Sequence, residues 1–356
     1  MDSDRPRPPW LRSVLAGLRR AARAIALCLV VVAALLTFPH AVPWMIAFWL
    51  LCYCLAVLTG GRGWLPLALG AAVVTAKGVP WTRELGVFAL VVAAVFAANH
   101  CARRVGDPKW TRRLLWAGIP ILWIAWCGMA LDWYTTTHCK RPLVLRPGRP
   151  VVCLGDSLTS MGPPWGGYPE HLATLISLPV VNLGDPGTTT TQALRLLPRV
   201  RDAGPQVVVI ELGGNDFVRE WSRLEGEGTL PRLIAMFRGT ARQTVRENLQ
   251  QLIAACQHAG AEVVLVEVPR GYMIDLFFGL ERQLAREHDL ELVPDTVFRR
   301  MLLSSPTLPP GQWTGGPFLT QDDGLHPNER GNRLIAARVA AALEWMYGPA
   351  VRQEGP

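Results

Sequence analysis

Two distant segments of the sequence hold residue types that can carry nucleophilic catalysis. Ser157 follows an apolar run, and Asp323 stands three residues before His326. A carboxylate can hold one nitrogen of an imidazole while the other nitrogen takes the proton of a serine hydroxyl. These residues are therefore candidates for a nucleophile, a general base and the group that orients the base.

Two further segments contain the donor types that stabilise a developing oxyanion. Gly187 lies in the segment 182–187, and Asn215 lies in the segment 211–216. A backbone N–H that can be approached closely and a side-chain amide are both suited to that task. Each feature also has an ordinary explanation, because a single glycine or asparagine is common in turns and Gly-Asp-Ser is common at helix caps.

The elements that must position these residues begin near residue 150. Short runs of Val, Ile and Leu alternate there with helical patterns, which is typical of a parallel sheet with crossover helices. The ends of parallel strands are where such sheets carry their chemistry, so the four polar segments are expected to converge. The predicted strands are 150–154, 179–183, 206–212, 262–268 and 290–293, and the predicted helices are 168–177, 189–203, 239–259, 275–288 and 327–347.

In order and spacing the four segments resemble the blocks of the SGNH (GDSL) hydrolase family, in particular its bacterial lysophospholipase/thioesterase branch. The resemblance covers about residues 150–347. It implies a three-layer α/β/α, flavodoxin-like fold with a five-stranded parallel sheet. It also implies hydrolysis of esters or thioesters through an acyl-enzyme, with no metal and no cofactor.

The same resemblance assigns roles to individual residues. Ser157 corresponds to the nucleophile, His326 to the general base and Asp323 to its orienter, with Asp322 as the alternative orienter. The N–H groups of Ser157 and Gly187 and the side chain of Asn215 correspond to the oxyanion hole. Asp156 matches the motif and is interpreted as structural.

The first third of the chain is basic and apolar. Of the net charge of +8, residues 1–135 contribute +9 from 14 Lys/Arg and 5 Asp/Glu, and the remaining 22 and 23 contribute −1. The charge therefore does not indicate a nucleic-acid partner. Crossing a bilayer takes about 20 apolar residues, and apolar runs near that length occur at 24–38, 44–58 and 114–131, with shorter ones at 64–80 and 85–99.

The distribution of basic residues predicts an orientation for these runs. Lys and Arg in short loops stay on the cytoplasmic side, and both the tail 1–23 and the loop 100–113 are rich in them. Five spans then place everything after residue 133 on the periplasmic or extracellular side of a bacterial inner membrane. A cleavable signal peptide is the alternative for the first run, and a re-entrant hairpin over 64–99 would reduce the number of spans.

The expected organisation has five parts: a basic cytoplasmic tail (1–23), a transmembrane bundle of about five helices (24–133), a juxtamembrane linker (134–149), a hydrolase domain (150–348) and a C-terminal tail (349–356). The leading interpretation is a membrane-anchored serine esterase or lipase that acts on lysophospholipid, on another lipid ester or on a thioester. The alternatives are an acyltransferase or deacetylase of cell-envelope polysaccharide and a catalytically idle scaffold.

Apolar residues in the loops could shape a substrate pocket. They lie at 217–238, at Tyr272 and Met273, at 276–280 and in the Pro/Gly-rich stretch 303–320. Loops at strand ends commonly form binding sites, but the same residues could cap the core or contact a membrane surface. The sequence leaves the acyl chain length, the head group and any protein partner open.

Overall fold

The structure is a computed structural model that divides into two compact units, Met1–Thr75 with Trp81–Asp132 and Ala76–Pro80 with Trp133–Pro356. The residues described are 46–47, 49–54, 83–105, 108–135, 138–160, 166–224, 226, 228, 231, 234–235, 239–268, 277, 279–295, 297–298, 301 and 318–353.

The described part of the first unit is helical. It comprises residues 46–47 and 49–54, helix α1 (Arg83–Val105) and most of helix α2 (Pro108–Thr135). Within the described ranges, no helix combines the length and the hydropathy needed to cross a membrane. The apolar runs 24–38 and 64–80 and the basic tail lie outside the described residues, so the transmembrane bundle stays a prediction.

The second unit is built on five parallel strands in the order β2-β1-β3-β4-β5. Their bounds are β1 (Val151–Gly155), β2 (Val180–Asn182), β3 (Val207–Glu211), β4 (Glu262–Val266) and β5 (Glu291–Val293). Each strand lies within one residue or two of a predicted apolar run. All residues of β1 and β3 are buried, which explains why these strands read as continuous Val/Ile/Leu runs. The predicted five-stranded parallel sheet is confirmed.

Each predicted helix has a counterpart, but several differ from the prediction. The helix predicted over 168–177 ends at Leu172, the one predicted over 275–288 begins at Leu280, and the one predicted over 189–203 is broken into three short pieces. Two helices that were not predicted begin at Ser157 and at Gly214. The bounds of the helices are α3 (Ser157–Ser160), α4 (Tyr168–Leu172), α5 (Thr190–Ala193), a 3₁₀ turn (Leu194–Leu196), α6 (Leu197–Ala203), α7 (Gly214–Arg223), α8 (Ala241–His258), α9 (Leu280–His288) and α10 (Glu329–Tyr347).

Two hydrophobic clusters separate the sheet from its helices. On one face, alternate residues of β1, β3 and β4 pack with Tyr168 and Leu172 of α4 and with Val339 of α10. On the other face, the intervening residues pack with Leu252 of α8 and Leu284 of α9. Successive side chains of a strand point to opposite faces, so these two clusters make the domain a three-layer α/β/α structure.

The segment 138–149, predicted as a linker, is bonded to the amino ends of the strands. Glu291, the first residue of β5, accepts a hydrogen bond from the backbone N–H of Cys139 at 2.9 Å and lies 2.8 Å from Nδ1 of His138. Arg141 forms an ion pair with Glu262, the first residue of β4. Gln206, the residue before β3, accepts a hydrogen bond from the backbone N–H of Arg146 at its side-chain oxygen.

The fold also extends beyond the predicted boundary at residue 348. A 3₁₀ turn over Pro349–Val351 follows α10, and the side chain of Val351 is fully buried. Ser177 donates its backbone N–H to the carbonyl of Val351. Residues 349–353 therefore pack as part of the second unit.

Candidate active site

Ser157 is the first residue of α3, directly beyond the carboxyl end of β1. The turn is tight: a Cβ at Gly155 would lie 2.0 Å from Oγ1 of Thr159 and 2.8 Å from the carbonyl oxygen of Glu211. The side chain of Asp156 accepts a hydrogen bond from the backbone N–H of Leu158 at 2.9 Å, which stabilises the turn. Glycine at 155 therefore allows the chain to fold back over the strand, with Ser157 only partly buried at the surface.

His326 connects Ser157 to Asp323. Its Nε2 lies 3.0 Å from Oγ of Ser157, and its Nδ1 lies 2.5 Å from Oδ2 of Asp323. Oδ1 of Asp323 accepts the backbone N–H groups of Leu325 and His326 at 2.9 and 3.0 Å. The three predicted side chains are therefore contiguous. Within the described residues, Asp322, the alternative orienter, makes no hydrogen bond to His326.

The carboxyl group of Asp323 is held in its charged form. Partial burial acts to raise its pKa, but the hydrogen bonds from the His326 ring and from the two backbone N–H groups outweigh burial and lower the pKa. Hydrogen bonds to a carboxylate favour ionisation in this way. At neutral pH Asp323 is thus an anion beside the imidazole.

Gly187 lies in the loop after β2, and this loop is hydrogen-bonded to helix α7. Its φ of +78° is in the left-handed region that favours glycine. Its carbonyl accepts a hydrogen bond from the Arg219 guanidinium at 3.1 Å. Three residues on, Thr190 donates its backbone N–H and its hydroxyl to Asp216 at 2.9 and 2.8 Å. These bonds join the glycine loop to the start of α7.

Asn215 lies in the first turn of α7 and faces Asp156. Its Nδ2 donates to Oδ2 of Asp156 at 2.8 Å and makes a longer contact of 3.3 Å with the carbonyl of Thr188. Within the described part of the chain, the backbone N–H groups of Ser157 and Gly187 donate to no other group. Asn215 thus contacts both Asp156, the residue before Ser157, and Thr188, the residue after Gly187.

Glu211 is a buried neighbour of this cluster whose contacts the sequence did not indicate. It is the last residue of β3 and is fully buried; Thr159 donates its hydroxyl to Oε2 at 2.9 Å. Burial, and next the charge of Asp156, raise the pKa of Glu211 well above its usual value. Burial also raises the pKa of Asp156.

Among the described residues, no group of three or more His, Cys, Asp or Glu side chains is placed to hold a metal ion. Exposed apolar residues lie next to the candidate site residues along the chain. Leu325, next to His326, is 51% exposed, and Val218, one turn beyond Asn215, is 54% exposed. Phe217 packs edge-to-face on Phe277 at 5.7 Å between ring centroids. Tyr272, Met273 and most of 303–320 lie outside the described residues.

A serine, a histidine and a carboxylate in one hydrogen-bonded chain at the carboxyl edge of a three-layer α/β/α domain are typical of serine hydrolases. The chain belongs to the GDSL-like lipase/acylhydrolase family, which matches residues 153–334. It is a carboxylic ester hydrolase of the GDSL (SGNH) type.

Three curated relatives are similar to parts of the chain. The arylesterase of Vibrio mimicus is 29% identical over 206 residues, which are 54% of this chain and 87% of the relative. The thioesterase 1/protease 1/lysophospholipase L1 of Escherichia coli K12 is 31% identical over 171 residues, 46% of this chain and 67% of the relative. The acetylxylan esterase of Xylanibacter ruminicola is 26% identical over 152 residues, 39% of this chain and 29% of the relative.

Proposed function

We propose that the chain hydrolyses acyl esters through a triad of Ser157, His326 and Asp323 and an acyl-enzyme intermediate. The observation that carries this proposal is the pair of contacts at 3.0 Å and 2.5 Å that link the serine hydroxyl, the imidazole and the carboxylate. Because Asp323 is ionised, it accepts a hydrogen bond from Nδ1–H, and Nε2 is then the nitrogen that is free to accept a proton. Nε2 faces the serine hydroxyl.

The reaction follows from that arrangement. Oγ of Ser157 attacks the acyl carbonyl carbon while Nε2 of His326 takes its proton. The bond to the leaving group then breaks, and His326 returns the proton to the departing alcohol or thiol. Water attacks the acyl-enzyme, its proton passes to His326, and the acid leaves as the serine hydroxyl is restored.

The oxyanion of each tetrahedral intermediate would be bound by the N–H groups of Ser157 and Gly187 and by Nδ2 of Asn215. The contact of Nδ2 with the Thr188 carbonyl is long, at 3.3 Å, so a charged oxygen can displace it. Donors placed in advance for that charge are usually the largest single contribution to such a reaction.

We further propose that the enzyme recognises its substrate by an apolar acyl chain, as in lysophospholipid or another lipid ester. Leu325, next to His326, and Val218, one turn beyond Asn215, both leave aliphatic surface exposed, and one relative is named a thioesterase and lysophospholipase. Another relative is named an acetylxylan esterase, which favours acetyl groups on polysaccharide as the second candidate.

A chain-length series on the full-length protein in detergent tests this proposal. We expect p-nitrophenol release to rise from the acetyl ester to longer acyl esters, and a fluorophosphonate probe to modify Ser157, identified by mass spectrometry. An optimum at acetyl, with acetate released from acetylated xylan, would select the polysaccharide candidate. New ester formed on an added sugar acceptor would indicate acyl transfer, and an unlabelled, inactive protein would indicate a scaffold.

We also propose that residues 24–133 anchor the enzyme in the bacterial inner membrane, with the tail in the cytoplasm and the hydrolase domain outside. The support is the sequence alone: the apolar runs near 20 residues, and the concentration of basic residues in 1–23 and 100–113, which hold 11 of the 14 Lys and Arg residues of 1–135. Such a location would bring the site close to membrane lipid esters.

Reporter fusions test that orientation. An alkaline phosphatase reporter, active only after export, is expected to be active when fused after residue 140 and inactive at residue 106. A green fluorescent protein reporter at the same two positions should give the opposite pattern, because the basic loop holds residue 106 inside. Fluorescence after residue 140 would refute the exported location.

A further inference from the structure

Two buried carboxyl groups lie behind the serine turn and are close neighbours, since the backbone N–H of Asp156 lies 3.4 Å from Oε2 of Glu211. Glu211 ends β3 and Asp156 follows β1; they are 0% and 2% exposed. Two carboxylates this close cannot both be charged in a buried site without a large cost. One of them therefore holds a proton at neutral pH.

The surrounding donors decide which group that is. The carboxylate of Asp156 accepts the N–H of Leu158 at 2.9 Å and Nδ2 of Asn215 at 2.8 Å. Glu211 accepts the Thr159 hydroxyl at Oε2 and a longer contact of 3.4 Å from the Asp156 N–H, and its buried Oε1 receives no hydrogen bond from the described residues. Both bonds to Asp156 are short, whereas one of the two bonds to Glu211 is long. Stronger hydrogen bonds favour the charge on Asp156, so the proton belongs on Glu211.

The remaining titratable neighbours agree with this placement. The imidazole of His326 acts on Asp156, and when protonated it favours the aspartate anion. Tyr168 is the buried phenol that interacts with Glu211, and burial raises its pKa well above the usual value, so it stays neutral. Neither neighbour favours an ionised Glu211.

The position of the proton has a consequence for Asn215. An ionised Asp156 can only accept, so it requires the amide to present Nδ2. A protonated Asp156 could donate to Oδ1 instead, and the amide could then turn over and present a carbonyl where the oxyanion forms. We propose that Glu211 is a positioning residue that carries the shared proton, keeps Asp156 ionised and thereby fixes Asn215 with its N–H toward the substrate oxygen. The proposal rests on the proposed function of Asn215 as an oxyanion donor.

Infrared spectroscopy of the full-length protein tests where the proton lies. With the side-chain carboxyl of glutamate labelled with ¹³C, we expect a carboxylic-acid band at pH 7 that shifts with the label and is lost in Glu211→Gln. Glu267→Gln is the matched control, since Glu267 is another fully buried carboxyl but is paired with Arg282. The Glu267→Gln variant should retain the part of the carboxylic-acid band that Glu211→Gln removes. Identical labelled bands in wild type and Glu211→Gln would overturn the proposal.

Kinetics test what the proton does. Glu211→Leu should lower kcat roughly 100-fold with little change in KM, the scale of a displaced catalytic group. Glu211→Gln should recover most of that loss, because a glutamine donates and accepts as a protonated glutamate does. In the profile of kcat against pH, the acid limb of Glu211→Gln should coincide with that of the wild type. Asp156→Asn removes a negative charge near His326, so its acid limb should move to lower pH. A displaced limb in Glu211→Gln would show that Glu211 is ionised in the wild type.

These outcomes separate this inference from the proposed function. If Ser157→Ala remained active, the triad would fail while the infrared band still reported the proton on Glu211. If Ser157→Ala were inactive and the band absent, only the role of Glu211 would fail. Should Glu211→Leu not fold, the band in wild type and Glu211→Gln still decides the question.

Discussion

Replacing Ser157 by alanine is expected to lower kcat for an acyl ester roughly 10⁴- to 10⁶-fold, as removal of a triad nucleophile does in other serine hydrolases. The reason is geometric: Oγ of Ser157 is the hydroxyl at 3.0 Å from Nε2 of His326. Alanine leaves no atom there to form the acyl-enzyme. Initial rates on p-nitrophenyl esters and loss of fluorophosphonate labelling measure the effect.

Ser160→Ala is the matched control for this experiment. Ser160 ends the same short helix α3, and its buried hydroxyl makes no hydrogen bond to any described residue. Its removal should leave kcat near the wild-type value while testing the tolerance of the turn. Activity of Ser157→Ala close to that of Ser160→Ala would exclude Ser157 as the nucleophile.

Asp323→Asn is expected to lower kcat about 10²- to 10⁴-fold with a smaller change in KM. Asparagine can still accept the N–H groups of Leu325 and His326, so the turn keeps its shape. It removes the negative charge that stabilises the protonated imidazole and the preference for a proton on Nδ1. The loss should therefore appear in turnover, measured by steady-state kinetics at saturating ester.

Asp322→Asn is the partner variant that separates two adjacent carboxylates. Both residues lie in the turn before His326, and the structure places only Asp323 in contact with the ring. Asp322→Asn should therefore retain nearly all activity. If it were the variant that lost turnover, the two aspartates would have to exchange their assigned roles.

The elements that could be predicted from the sequence are those whose signal is local. Strands β1, β3 and β4 consist mostly of buried aliphatic residues, and α10 shows apolar residues at helical spacing, so the sequence predicted their positions correctly. Helix α7 was missed because the Gly213-Gly214 pair before it favours a turn and its own residues are mostly polar; none of them is buried.

The site shows the same division. Ser157, Asp323 and His326 could be selected because their types and order resemble a family pattern, and the structure brings them together. The bonds of Asp216 to Thr190 and of Asp156 to Asn215 join segments 26 and 59 residues apart. Spacing along a single chain contains no signal for such pairs, since they form only when the strand ends meet.

The attachment of segment 138–149 has a mechanical consequence. It enters the domain at the amino ends of β4 and β5, where Arg141 and Glu262 pair, whereas Ser157 lies beyond the carboxyl end of β1. A strand of five residues separates these edges by about 16 Å. A pull on the chain before His138 is borne by ion pairs and main-chain bonds at the far edge of the sheet. The loops that hold Ser157 and His326 are thereby separated from strain that enters through the residues before His138.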